Sequence, residues 1–163
     1  MKKKDENKTE YYGSAEDEFS GEVYGGAQEN EITVEAEVTG IEKAMDFVSE
    51  KIGDLPFTFR DRSRIEIAVD EILSNIVNYA YEGGKGTANL KIESDENGVV
   101  LTVTDSGTAY NPLEKEDPDI TLSADERGIG GYGIFIVKKT MDKVDYERKD
   151  GLNILKLYKN FSA

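Results

Sequence analysis

The chain has 163 residues, enough for one domain with a hydrophobic core. It carries 20 basic and 34 acidic residues, and its net charge of −14 argues against direct binding to a nucleic-acid backbone. The sequence has no cysteine and no histidine, which excludes disulfides, Ser-His-Asp catalysis and histidine-ligated zinc. No stretch approaches a membrane span, so we expect a cytoplasmic protein without a membrane partner.

The first thirty residues differ in composition from the rest of the chain. They are rich in Lys, Glu, Asp, Gly and Ser, and they lack a sustained apolar period. Burial therefore cannot offset the entropy lost when such a segment becomes ordered. We predict a disordered acidic tail over residues 1–30 and one folded domain over residues 31–163.

Apolar periodicity predicts the secondary structure of that domain. In chain order, the predicted elements are a strand over 31–38, helices at about 41–52 and 61–81, strands near 87–93 and 99–104, a polar loop over 106–127, a helix at about 131–141, and strands near 143–148 and 152–159. This order indicates an α+β fold. We expect a two-layer α/β sandwich, with helices on one face of a mixed, mostly antiparallel sheet.

The second predicted helix carries three polar residues on one face. At 100° per residue, Glu71, Asn75 and Asn78 lie within about 60° of one another. A solvated helix face is the simpler interpretation, but asparagine is a poor helix former, and two within one turn cost stability. A carboxamide oxygen suits magnesium, and a carboxylate one turn away can orient or deprotonate a hydroxyl. The helix alone leaves both interpretations open.

A second motif ends the strand before the long loop. Asp105 closes an apolar run, and Gly107 follows two residues later. An aspartate at such a position can simply begin a turn. A buried aspartate can also accept a hydrogen bond from an exocyclic amine, which distinguishes adenine from guanine.

The third motif is a glycine cluster before the third helix, consisting of Arg127, Gly128, Gly130, Gly131 and Gly133. It fits G-x-G-x-x-G, but no strand leads directly into it and too few residues follow for a dinucleotide fold. A protein-kinase glycine loop is excluded because no catalytic-loop signature follows. Glycines that open a helix still suit a phosphate, because backbone amides can approach it closely and the helix N-terminus favours an anion. An ordinary glycine-rich helix start is the alternative.

Together the three motifs resemble a known ATP-binding superfamily. Glu71-Ile-Leu-Ser-Asn75, Asp105-Ser-Gly107 and the glycine cluster, in this order, resemble the histidine kinase-like ATPases: gyrase, Hsp90, histidine kinases and MutL. Within that superfamily, the size and the motifs are similar to the bacterial anti-sigma factor serine/threonine kinases. The resemblance covers about residues 31–160.

The resemblance implies roles for individual residues. Asn75 would hold Mg²⁺, Glu71 would be the base toward a substrate hydroxyl, and Asp105 would recognise the adenine amino group. The other residues assigned to ATP binding are Asn78, Gly107, Arg127, Gly128, Gly130, Gly131 and Gly133, under a lid formed by about 109–130. Two positions depart from the family pattern: Tyr79 stands where the family often has histidine, and Ala109 replaces a glycine.

The implied function is phosphorylation of a serine or threonine on a small anti-sigma factor antagonist protein, alternating with binding of a sigma factor. A nucleotide-gated binding module without kinase activity is the alternative. A detached sensor-kinase ATPase domain is a third interpretation, which the absence of dimerisation helices disfavours. The oligomeric state stays open, with a homodimer as one alternative.

Overall fold

The computed structural model describes residues 8–12, 30–123, 125–126 and 132–162. In these ranges the chain forms β1 (Lys8–Tyr12), β2 (Glu31–Glu35), α1 (Val38–Gly53), α2 (Phe59–Asn75), a π-helical turn (Ile76–Ala80), β3 (Thr87–Ser94), β4 (Gly98–Asp105), a 3₁₀ turn (Pro112–Glu114), α3 (Tyr132–Thr140), β5 (Lys143–Lys149) and β6 (Leu152–Asn160). From β2 onward the order of strands and helices agrees with the sequence-based prediction. The α+β fold is confirmed.

The strands form one sheet in the order β1-β5-β6-β4-β3-β2. Every neighbouring pair of these strands is antiparallel, so the predicted mixture of parallel and antiparallel pairs is wrong for the described residues. The reason lies in the topology. β4 and β5 run in the same direction, as a helical crossover requires, but β6 pairs with both and separates them.

Strand β1 differs from the prediction of a disordered tail. Its backbone pairs antiparallel with β5, with Tyr12 opposite Val144 and Tyr11 opposite Asp145. Without β1, this side of β5 would be an open sheet edge with unpaired amide and carbonyl groups. Composition does not reveal this pairing, because backbone hydrogen bonds do not depend on an apolar side-chain period. The correction applies to residues 8–12 alone.

The hydrophobic core lies between the helices and one face of the sheet. Alternate residues of β3, β4, β5 and β6 point into it, as do the apolar faces of the helices. The largest fully buried side chains are Ile52, Ile65, Leu73, Leu90, Leu101 and Leu157. The two ends of β6 carry buried polar residues on the helix-facing side, Asn153 and Lys159, so a polar group lies at each edge of the core.

At one edge of the core, Asp61 near the start of α2 faces Lys159 of β6, and both are buried. The carboxylate of Asp61 accepts hydrogen bonds from the hydroxyls of Thr58 and Ser162, and the Lys159 ammonium lies 3.6 Å away. Thr58 also caps α2, because its hydroxyl accepts from the Asp61 amide at 3.1 Å. These hydrogen bonds, with the charge of Lys159, hold the pKa of Asp61 below its ordinary value.

Candidate functional site

A cleft of about 180 Å³ opens at the opposite edge of the core, between the end of α2 and the sheet. Its apolar wall is formed by Ile72, Ile76, Val103, Ile134 and Leu155. A closed apolar cavity of about 150 Å³ is large enough for benzene, so this open cleft has room for a planar aromatic base. Polar side chains from α2, β4 and β6 complete the lining.

Asp105 lies in the wall of this cleft, at the end of β4, and is buried. Its Oδ1 atom accepts two hydrogen bonds, from the Gly107 amide at 2.9 Å and from Asn153 Nδ2 at 3.0 Å. Its Oδ2 atom accepts none from the part of the chain that the structure describes. One oxygen is thus anchored, and the other is available to a ligand that donates a hydrogen bond.

Gly107 allows the chain after β4 to pack against the π-helical turn. A Cβ atom at Gly107 would overlap the carbonyl oxygen of Ala80, and the next amide, Thr108 N–H, donates to that same oxygen at 2.8 Å. The glycine two residues after Asp105 is therefore explained by this close approach. The contact fixes the start of the long loop beside the cleft.

The π-helical turn decides which of the two asparagines reaches the cleft. Asn75, the last residue of α2, lines it, and its carboxamide makes no hydrogen bond with any described residue. Asn78 is exposed and is absent from the described lining. The prediction that both share one face assumed a regular α-helix, whereas a π turn has a longer hydrogen-bond period and rotates the residues after Ile76 differently.

Glu71 lies one turn before Asn75 and contacts the start of α3. A Cβ atom at Gly133 would overlap the Glu71 carboxylate. Glu71 makes no hydrogen bond or ion pair with the described residues, and it is half-buried. Because Gly133 has no side chain, the unpaired Glu71 carboxylate can lie against the start of α3, the helix that the glycine cluster opens.

The remaining predicted phosphate-binding residues are Arg127, Gly128, Gly130 and Gly131. They lie outside the described residues. Their assignment stays a prediction from the sequence. Among the predicted site residues that are described, the structure brings Asn75 and Asp105 into one cleft, Gly107 behind Asp105, and Glu71 against Gly133.

The long loop after β4 is attached to the domain at described positions on both sides of its 3₁₀ turn. The Tyr110 amide donates to Asn153 Oδ1 at 3.2 Å. Farther along, Lys138 of α3 extends its ammonium to the Asp117 carboxylate at 3.1 Å and to the Lys115 carbonyl at 3.3 Å. Because Lys138 is buried, this ion pair links the middle of the loop to the third helix.

Two tyrosines stand at the mouth of the cleft. Tyr79 is 70% exposed and Tyr110 is 48% exposed, and both line the cleft. Burial, with a smaller contribution from the Tyr79 hydroxyl, raises the pKa of Tyr110. The resemblance noted above implies a histidine at position 79 in many members, and in this chain a phenol lies at the entrance of the cleft instead.

Asn153 is a cleft residue that the sequence analysis missed. It lies on β6 directly opposite Asp105, is buried, and donates to the Asp105 carboxylate. The sequence offers one signal for it: a polar residue on the face of the strand that also carries Leu155 and Leu157. The partner of that residue could not be identified, because β4 and β6 are not consecutive and their register is not encoded locally.

Comparison with known protein families identifies the class to which this fold and cleft belong. Residues 34–159 match the family described as the histidine kinase-like ATPase domain. The chain belongs to this family. The resemblance to that superfamily seen in the three motifs is thereby confirmed.

Three curated relatives carry the names of protein kinases. The chain is 33% identical to the serine/threonine-protein kinase BtrW of Bordetella bronchiseptica over 99 residues, which cover 60% of this chain and 70% of BtrW. It is 31% identical to the serine-protein kinase RsbW of Halalkalibacterium halodurans over 107 residues, or 60% of this chain and 62% of that protein. RsbW of Bacillus velezensis is 25% identical over 133 residues, or 77% of this chain and 81% of that protein.

None of the helices in the described residues has both the length and the apolar character needed to cross a bilayer.

Proposed function

We propose that this chain is an ATP-dependent protein kinase that phosphorylates a serine or threonine of a small anti-sigma factor antagonist. One observation carries the proposal. Along α2, an unpaired carboxylate, Glu71, lies beside the start of α3, and one turn later Asn75 lines the same cleft as Asp105. The similarity to BtrW and RsbW, whose names describe serine kinases, supports the same function.

The cleft suits an adenine base. Its apolar wall would pack against the ring, and Oδ2 of Asp105 would accept a hydrogen bond from the 6-amino group. Guanine has a carbonyl oxygen at that ring position, which would face the carboxylate without a proton between them. A buried carboxylate without a donor is costly, so the pocket should favour ATP over GTP.

The side chains present also fit a magnesium ion. Asn75 offers a neutral carboxamide oxygen that accepts no hydrogen bond from a described residue. Oxygen ligands of this kind suit Mg²⁺, which is usually held by few protein groups together with substrate phosphates. When bound there, Mg²⁺ would neutralise charge on the phosphate oxygens.

Glu71 is the residue we assign as base. The substrate hydroxyl oxygen attacks the γ-phosphorus, and a new P–O bond forms as the bond to the oxygen that bridges to the β-phosphate breaks. ADP leaves, and the hydroxyl proton passes to the Glu71 carboxylate.

The partners follow from the family resemblance and from charge. We propose that the antagonist is the phosphorylated substrate and that a sigma factor is bound in the alternative state of a partner switch. The chain's net charge of −14 suits basic protein surfaces and disfavours direct contact with nucleic acid.

The test is radiolabel transfer from ATP to a co-encoded small antagonist protein, with a binding titration for each variant. Glu71→Gln should lower the transfer rate by on the order of 10²–10⁴-fold and leave ATP affinity nearly unchanged, because the base contacts the incoming hydroxyl. Asn75→Ala should weaken magnesium-dependent ATP binding as well, because it removes a metal ligand.

Asp70→Asn is the matched control, since Asp70 is the exposed neighbour of Glu71 on the same helix. It removes the same charge and should transfer phosphate at the parent rate. Transfer by Glu71→Gln at the parent rate would exclude Glu71 as the base. A parent that binds ATP and phosphorylates no antagonist would instead favour the nucleotide-gated binding module.

A further inference from the structure

Asn153 has a more constrained environment than any other polar side chain described above in the cleft. It is 7% exposed and lies on the helix-facing side of β6, where the strand register pairs it with Asp105 of β4. Its carboxamide connects the sheet to the first residues of the long loop. Neither a capping role nor a solvent contact explains a buried asparagine at this position.

All hydrogen-bonding positions of the Asn153 carboxamide are used. Nδ2 donates to Asp105 Oδ1 at 3.0 Å and to the Thr108 carbonyl at 2.9 Å. Oδ1 accepts from the Tyr146 hydroxyl at 2.7 Å and from the Tyr110 amide at 3.2 Å. Two donors and two acceptor sites are the full capacity of this group. The reverse orientation of the amide would place oxygen against two acceptors, so the network fixes one orientation.

This network determines which oxygen of Asp105 is available to a ligand. With Oδ1 held by the Asn153 side chain and the Gly107 amide, the carboxylate cannot rotate without losing two hydrogen bonds. Oδ2 is then left for the cleft. Burial raises the pKa of Tyr146, so at neutral pH its phenol remains a donor to Asn153.

We propose that Asn153 is the positioning residue that orients Asp105 toward the 6-amino group of adenine. This inference rests on the nucleotide site proposed above and goes beyond it by assigning the base selectivity to a pair of side chains. Asp105 would touch the ligand, and Asn153 would act through Asp105.

The first experiment compares two ligands that differ only in the contact at issue. Mg²⁺-ATP and the triphosphate of purine riboside, which lacks the 6-amino group, are titrated by calorimetry into the full chain. A hydrogen bond to a charged group corresponds to about tenfold or more in affinity, so the parent should prefer ATP by that factor. Asn153→Ala should bind both ligands with nearly equal affinity, because Asp105 is no longer held in one orientation.

Asn160→Ala is the control, since Asn160 is an exposed asparagine on the same strand. It should keep the parent's preference for ATP. A structural role alone would weaken both ligands equally in Asn153→Ala and preserve their ratio, and that outcome would overturn the positioning role. A parent without preference for ATP would instead overturn the Asp105 assignment in the proposed function, independently of kinase activity.

A second variant provides a pH profile. Asn153→Asp puts a second carboxylate beside Asp105. The two carboxylates can form a hydrogen bond in place of the one from Asn153 to Asp105 only when they share a proton. The other titratable or charged groups near this position are Tyr110 and Glu114 of the loop and Tyr146 and Arg148 of β5. ATP affinity of Asn153→Asp, relative to the parent, should rise as the pH falls from 8 to 6. A ratio that stays constant over this range would contradict the proposal, and if this variant does not fold, the Asn153→Ala comparison decides.

Discussion

At the scale of single residues, the structure explains why two glycines belong to the site. Gly107 lets the chain after Asp105 pack on the carbonyl of Ala80, and Gly133 lets α3 begin against the Glu71 carboxylate. In both places the lack of a Cβ atom permits a close contact. At Gly107 this contact fixes the chain next to Asp105, and at Gly133 it involves the Glu71 carboxylate itself.

Gly133→Ala should therefore impair catalysis through Glu71. The added methyl group overlaps the Glu71 carboxylate, so either the side chain or the start of α3 must shift. Positioning errors of about 1 Å can cost on the order of 10²-fold in rate, and we expect a loss of that size in phosphoryl transfer to the antagonist.

The control for this substitution is Gly53→Ala. A Cβ atom at Gly53, at the end of α1, meets nothing within 4 Å, so this variant should transfer phosphate normally. Melting curves of both variants accompany the rate measurement. A normal rate in a folded Gly133→Ala would show that the position of Glu71 against α3 does not matter for transfer.

At the scale of elements, the loop between β4 and α3 is the segment that we expect to move most. Its first part is attached to the domain, because Thr108 and Tyr110 hydrogen-bond to Asn153 and Leu113 packs against the core. Residues 114–117 and 119–123 are exposed, and the ion pair between Asp117 and Lys138 links them to α3. Segments with few apolar contacts open easily. We propose that this loop is the lid of the nucleotide site, held in the structure by Lys138.

Hydrogen exchange tests the lid. Amides at about 109–126 should exchange fast without nucleotide and slow down when Mg²⁺-ATP is added. Lys138→Met should speed exchange around Lys115 and Asp117 without nucleotide, because it removes the ion pair and keeps an apolar side chain in α3. Lys139→Met, at the exposed neighbouring position, should leave the exchange of the loop unchanged. Loop exchange that is insensitive to ATP would remove the lid assignment.

The elements were largely predictable from the sequence, because periodicity is a local signal. The apolar face of α2 and the alternation of apolar and polar residues in β4 can be read directly from the sequence. The three motifs indicated the family. The π-helical turn after Asn75 could not be predicted, because the residues that contact it, Gly107 and Thr108, are distant in sequence and local periodicity does not report them. The Asp105–Asn153 pair requires the register between two strands that are distant in sequence. Strand β1 depends on an open edge of β5, which no local pattern reports.

At the scale of the whole molecule, buried polar side chains lie at both edges of the hydrophobic core. The cleft lies at one edge, and the Asp61–Lys159 pair lies at the other, where α2 begins and α3 ends. Lys159 also donates to the Thr140 carbonyl at 3.0 Å. This cluster ties two helices and the last strand together without contributing to the described lining of the cleft.

Acid should weaken this cluster. The folded-state pKa of Asp61 lies below its ordinary value of 3.8, so Asp61 contributes stability above that value and loses it as the pH falls through the lowered pKa. Asp61→Asn should cost on the order of 1–3 kcal/mol at neutral pH. The difference in free energy of unfolding between parent and variant should shrink below about pH 4.

Urea unfolding between pH 7 and pH 3 measures this difference. Asp46→Asn, on the exposed face of α1, serves as the charge control and should show no such trend. A parent–variant difference that remains constant down to pH 3 would mean that the ionised form of Asp61 contributes nothing special to stability.

The insertion of β6 between β4 and β5 has a consequence for the protein during its synthesis. Asp105 and Asn153 are 48 positions apart, and their hydrogen bond exists only once β6 has paired with β4. A nascent chain on the ribosome from which Leu152–Asn160 has not yet emerged would lack this contact and the wall of the cleft that β6 supplies. ATP would thus find its proposed site only on a chain whose strand β6 has already been translated.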